Sequence, residues 1–266
     1  MSNSVSLALL GLGAVAGLLA GFFGIGGGAV VVPGLIFLFD RQGVDPAVAT
    51  QLAVGSSLAA ILATGSSSAA SHHWHNNVRW KIAFGMAPFV ILGTAVGSSS
   101  ATALPGSTVR RLFGFFELLI AARLAFRAPR EGFFPGRPAV LAQGIGGLCV
   151  GVLSALFGIG GGTISVPVMV FFLAQPIKPA VGTSAALGVV VALFATAEYI
   201  YLGWQNPRLP AGTLGFVDPV SAALIGLSSV FFAPAGAWLT EVLSPRRVSL
   251  AFAALLCVIG FRLIFS

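Results

Sequence analysis

Apolar residues in this chain come in long runs rather than in alternation. In the first half the runs cover positions 5–23, 29–39, 48–70, 80–98 and 109–126, and in the second half 139–157, 163–173, 180–201, 220–239 and 248–265. A transmembrane barrel strand alternates apolar and polar residues over roughly ten positions, whereas a helix needs about twenty apolar residues to cross the hydrocarbon. The pattern therefore predicts helices. Eight runs are long enough to span, while the second run of each half has only eleven residues and reaches about 17 Å at ~1.5 Å per residue. Each short run starts directly after a glycine cluster and contains a proline, Pro33 or Pro167. One helix is expected to end at the glycines and a short one to begin there, as a broken or re-entrant segment.

The chain also repeats itself. FGIGGG stands at positions 23–28 and again at 157–162, an offset of 134 that Pro33 and Pro167 share. Thr50 in PAVATQ pairs with Thr183 in PAVGTS, and Arg123 pairs with Arg262. We read two tandem homologous repeats, residues 1–126 and 139–266, joined by a linker at 127–138, RAPREGFFPGRP, whose Arg, Pro and Gly content suits a connection. The fold class expected is an all-α polytopic membrane protein with eight long transmembrane helices and two short ones after the GIGGG motifs.

Composition agrees. Hydrophobic residues make up 57% and charged ones 8%, against about 25% charged in soluble domains, so a water-soluble globule and a disordered chain are both excluded. The excess of 14 basic over 7 acidic residues, net +7, flanks the apolar runs. It reads as a topology signal rather than a nucleic-acid footprint. If each half crosses an odd number of times, nine basic residues share one face and five the other; parallel repeats would divide them eight to six. The former fits the positive-inside rule better, so inverted repeats with a cytoplasmic linker are expected. Residues 1–6 contain no Lys or Arg, and the run after them leads into glycines rather than a cleavage site, which argues against a removable signal.

The candidate chemistry lies at the glycines. A helix starting from them presents unpaired N–H groups and the positive end of its dipole, a natural seat for an anion. Backbone outside a helix is tolerable at membrane depth only where protein covers it or it lines a cavity. Gly26, Gly27 and Gly28, with Gly160, Gly161 and Gly162, are therefore expected to converge on one anion near the midplane. Thr50 and Gln51, with Thr183 and Ser184, open the next long helix of each half; capping and interhelical bonding are as natural for them as ligand contact. The ridges Gly13, Gly17 and Gly21, echoed by Gly147 and Gly151, are expected to pack helices closely. Glu117 lies deepest among the acidic residues and is a candidate proton carrier or partner of a buried arginine. Glu198, beside Tyr199, Tyr201 and Trp204, reads as part of an interfacial belt.

Other chemistries find no footing. Gly24-x-Gly26-x-x-Ala29 approximates a dinucleotide fingerprint but lacks the preceding strand and the acidic residue that such a site needs. His72, His73 and His75 have no Cys or acid nearby to complete a metal shell and read as an interfacial loop. Cys149 and Cys257 sit inside apolar runs and suggest neither disulfide nor metal. No Walker motif and no hydrolytic constellation occurs, so no cofactor and no enzymatic activity is expected. The partners expected are a small anion and the bilayer, without nucleic acid.

GLLAGFFGIGGGAVVVPGLIFLF followed by PAVATQLAV, repeated as GVLSALFGIGGGTISVPVMVFFL with PAVGTSAAL, resembles the TauE/SafE family of sulfite and organosulfur exporters. The resemblance covers essentially the whole chain. It implies a multi-pass carrier of the bacterial inner membrane that moves small sulfur-containing anions such as sulfite, sulfoacetate or thiosulfate, with the GIGGG elements and the Thr pairs as its site. Thr50-Gln51 departs from the Thr-Ser that the family favours and that Thr183-Ser184 keeps. An anion channel, or a permease for another small carboxylate or sulfonate, remains the alternative.

Overall fold

The computed structural model describes residues 3–23, 27–126, 139–242 and 245–265. Gly26 and the linker at 127–138 lie outside the described residues. Ten α-helices follow one another: α1 (Asn3–Phe23), α2 (Gly28–Arg41), α3 (Pro46–Trp74), α4 (Trp80–Ala103), α5 (Gly106–Phe126), α6 (Ala139–Phe157), α7 (Gly162–Phe172), α8 (Ile177–Leu202), α9 (Pro219–Val242) and α10 (Pro245–Phe265). Among the described residues the only extended pairing is an isolated bridge between Leu214 and Val217.

Local chemistry sets the helix starts. Asp45 caps α3 by accepting the Ala47 N–H at 2.9 Å, with Pro46 in the first turn. Asp218 does the same for α9, accepting the Val220 N–H and the Ser221 hydroxyl. Both short helices start instead from a left-handed glycine, Gly27 at φ 74° and Gly161 at φ 80°, a conformation that costs a side-chain-bearing residue about 1–2 kcal/mol. The α2 helix is 14 residues long, longer than its apolar run, because Asp40 and Arg41 continue it until Gly43 turns the chain at φ 73°. The α7 helix keeps the expected eleven.

Among the described residues, segments long and apolar enough to cross a membrane lie within six helices, α1, α3, α4, α6, α8 and α9. The eight long helices anticipated are all present as helices, and α5 is the most charged of them, carrying Arg110, Arg111, Glu117 and Arg123.

The helices pair across the two halves. α1 lies on α9 and α4 on α6, with α5 against α10 and α3 against α8; α4 also meets α8, and α9 meets α3. Small residues bring the backbones together: a Cβ on Gly13 would stand 2.9 Å from Ile225 Cα, and one on Gly151 2.8 Å from Gly93 Cα. These contacts also fix direction. Gly13 meets Ile225 and Gly17 meets Ser229, so α1 and α9 run parallel, as do α6 and α4, where Gly147 meets Phe89 and Gly151 meets Gly93. Gly55 meets Tyr199 whereas Gly65 meets Val189, and Gly114 meets Ile264 whereas Gly260 meets Leu118; α3/α8 and α5/α10 are thus antiparallel.

One aromatic departs from expectation. Tyr201 and Trp204 are exposed, as a belt requires, but Tyr199 is fully buried and its hydroxyl donates to the Ala155 carbonyl at 3.0 Å. Tyr199 faces α6 because its turn of α8 packs inward. Glu198 accepts hydrogen bonds from the Thr94 hydroxyl at 3.2 Å and the Ser98 hydroxyl at 2.8 Å, which joins α8 to α4.

Candidate functional site at the glycine breaks

The two breaks touch. A Cβ on Gly28 would lie 2.8 Å from Ile159 Cα, and the Gly158 carbonyl is closer still. The second break is packed between long helices: Gly160 faces Ile61, near the middle of α3, and the Gly160 carbonyl abuts Gly188, near the middle of α8. The Ser57 hydroxyl donates to the Gly158 carbonyl at 2.9 Å, which satisfies one acceptor that the break leaves outside any helix.

Neither short helix has a side-chain cap. In the second break the Gly161 N–H turns onto the Ile159 carbonyl, while the Ile164 and Ser165 N–H groups donate to the Gly161 carbonyl at 3.0 and 2.7 Å. The Gly162 and Thr163 N–H groups have no acceptor among the described residues, so α7 opens with free donors and an unopposed dipole. In the first break Val30 and Val31 donate to the Gly27 carbonyl, both at 3.1 Å.

Hydroxyls gather at the second break. The position of a Cβ on Gly161 lies 3.3 Å from Ser165 Oγ and 3.7 Å from both Ser154 Oγ and Gly188 Cα. Ser184 is one helical turn before Gly188 and on the same face of α8. Ser154, Ser165 and Ser184 are fully buried, and none of their hydroxyls has a hydrogen-bond partner among the described residues; the Thr163 hydroxyl also lacks one. A buried hydroxyl without a partner costs about 1–3 kcal/mol. Several at one place mark a point where something polar belongs.

The other residues singled out in the sequence fall as follows. Gly27, Gly28, Gly160, Gly161 and Gly162 come together at the breaks, and Ser184 stands one helical turn from Gly188, which abuts the Gly160 carbonyl. Thr50 and Gln51 stand apart from the breaks, near the start of α3 and beside Gly106. There the Gln51 amide nitrogen donates to the Ala101 and Leu104 carbonyls at 3.3 and 3.1 Å, while Thr50 Oγ1 and Gln51 Oε1 find no partner among the described residues. The Thr183 hydroxyl accepts the Arg79 N–H at 2.9 Å, at the start of α4. Glu117 is fully buried at the middle of α5, and neither carboxyl oxygen meets a hydrogen-bonding group among the described residues. It lies one turn from Phe113 and next to Phe116. Both rings stack on Phe157, the residue preceding the second break, at 5.6 and 4.9 Å between centroids.

Among the described residues no cluster of His, Cys, Asp and Glu could hold a metal. His75 Nδ1 lies 2.7 Å from the Ser71 carbonyl, and the Trp80 indole donates to His73 at 3.2 Å. Sequence reasoning missed Ser154, Thr163 and Ser165. Setting the halves against each other at the offset of 134 finds them, because the first half has Ala20, Ala29 and Val31 at those places.

Among the described residues, ten helices, six with segments long and apolar enough to span and several lined inside by buried hydroxyls, define a multi-pass membrane protein. The family model described as "Sulfite exporter TauE/SafE" matches residues 9–263, and the chain belongs to that family of membrane transporters rather than to any class of enzyme. It is 31% identical over 265 residues, 99% of both chains, to a probable membrane transporter protein of Haemophilus influenzae. It is 27% identical over 262 residues, 95% of this chain and 92% of the other, to a probable membrane transporter protein of Methanocaldococcus jannaschii. A further probable membrane transporter protein, YunE of Bacillus subtilis, is 28% identical over 220 residues, covering 74% of this chain and 79% of its own. No solved structure matches the chain.

Proposed function

We propose that this protein is a secondary transporter that carries small sulfur-containing anions such as sulfite, sulfoacetate or thiosulfate out across the inner membrane. The observation that carries this reading is the contact between two uncapped glycine breaks, Gly27–Gly28 and Gly158–Gly162, at mid-height of the long helices. Free helix N-termini in a water-poor interior favour a negative charge, and paired broken helices are where transporters keep their sites. The family name points to the same substrate class.

In this reading the halves 1–126 and 139–266 are inverted repeats with eight spanning helices and two short ones. Support comes from the antiparallel α3/α8 and α5/α10 pairs, since helices equivalent under duplication run oppositely only when one copy is turned over. Residues at the second break are buried, so the anion enters when helix groups part on one face and leaves when they part on the other, as alternating access requires. Gly160–Gly162 and Ser184 face the anion while Gly26–Gly28 close the site against them, with Thr50, Gln51 and Thr183 completing the path to it. Glu117 carries the coupled proton, supported by its unpaired burial beside Phe113 and Phe116.

Purified protein in proteoliposomes tests the reading. Saturable sulfite or sulfoacetate flux with counterflow is expected, and flux that neither saturates nor exchanges would replace the carrier by a channel. Glu117→Gln is expected to lose the pH dependence of that flux. An unchanged rate and pH profile would remove Glu117 from coupling.

A further inference from the structure

We propose that the oxygens of the anion are gripped at the second break alone, by the hydroxyls of Ser154, Ser165 and Ser184 together with the Gly162 and Thr163 N–H groups, and that the first break serves as its packed wall. The inference rests on the transporter reading above and gives its site a sidedness. Three helices, α6, α7 and α8, each deliver one fully buried hydroxyl with no partner of its own. Two of those oxygens are within 3.7 Å of the Cβ position on Gly161, at the mouth of an uncapped helix. The first-half counterparts of Ser154 and Ser165 are Ala20 and Val31, both buried and without a hydrogen-bonding side chain, and the counterpart of Ser184, Gln51, has its amide nitrogen engaged by the Ala101 and Leu104 carbonyls. Gly28 is instead filled from outside by the Gly158 carbonyl and Ile159.

Donors spread over three helices match a ligand with several acceptor oxygens around one centre, such as sulfite or a sulfonate. Each oxygen can take a different donor, and the helix dipole meets the charge. Ser154 and Ser165 are accordingly specificity residues.

The test is calorimetric binding of sulfite, sulfoacetate and chloride to the full-length protein in detergent, beside the melting midpoint of the ligand-free form. Ser154→Ala and Ser165→Ala are each expected to weaken sulfite or sulfoacetate binding by about ten- to a hundredfold, the value of a hydrogen bond to a charged group. The ligand-free midpoint should hold or rise, because each change removes an unsatisfied buried hydroxyl. Ser165→Thr, which keeps the hydroxyl, should restore binding, and Val31→Ala at the mirror position should leave the affinity as it was. Undiminished binding by a folded Ser154→Ala/Ser165→Ala double variant overturns the inference, as does an equal loss in Val31→Ala. If the double variant does not fold, the single variants decide. Failure of the unaltered protein to bind any of the sulfur anions overturns the transporter reading and this inference with it.

Discussion

The two glycine breaks share a sequence and a backbone but differ in surroundings. At the first, the Gly28 Cα sits against the backbone of Gly158 and Ile159, and Ala20, Ala29 and Val31 supply only methyl groups. At the second, Gly161 faces hydroxyl oxygens at 3.3 and 3.7 Å, and the same three places hold Ser154, Thr163 and Ser165. In the reading proposed above, duplication supplies two copies of a backbone device, and side chains decide which copy meets the ligand and which is structural support.

Substitutions at glycines of the two breaks sharpen this contrast. The largest effect is expected for Gly28→Ala. Its methyl group would press on backbone atoms of the second break, which cannot swing aside, and overpacking of that kind costs about 3 kcal/mol. Size-exclusion chromatography and thermal melting of the detergent-solubilised variant should show little folded protein; a wild-type melting curve would mean that the breaks do not press together. Gly161→Ala comes next. Left-handed strain costs about 1–2 kcal/mol, and the methyl meets a side-chain hydroxyl, Ser165 Oγ at 3.3 Å, which can turn aside as backbone cannot, so the protein should fold yet lose anion binding by calorimetry. Ser57→Ala is the mildest. It removes the donor to the Gly158 carbonyl and should lower stability by about 1 kcal/mol with affinity little changed. A larger loss of affinity than of stability there would show that the carbonyl's orientation matters to the ligand.

The sequence made the breaks legible because positive φ is a glycine property and local: GIGGG followed by an apolar run with a proline places the left-handed residue within one position at both Gly27 and Gly161. Helix positions were legible for the same reason, since the lengths of apolar runs are local. What depends on contacts between remote helices was not. Thr183 and Gln51 looked alike as polar residues opening a helix, and only packing shows that both reach α4, one at each end. Tyr199 seemed interfacial by its neighbours, yet the turn it occupies faces Ala155. Ser154 is one small residue within an apolar run; its lack of a partner emerges only once α7 and α8 surround it.

The pairing of α4 with α6 and α8, and of α9 with α1 and α3, has a consequence for how the molecule is put together. Each half lends its fourth helix to the other, so neither half makes a finished fold by itself. A ribosome that has delivered residues 1–126 has made a piece still waiting for its complement. Two separately expressed fragments divided within 127–138 should therefore be recovered only as an interlocked pair, with each alone left to degradation.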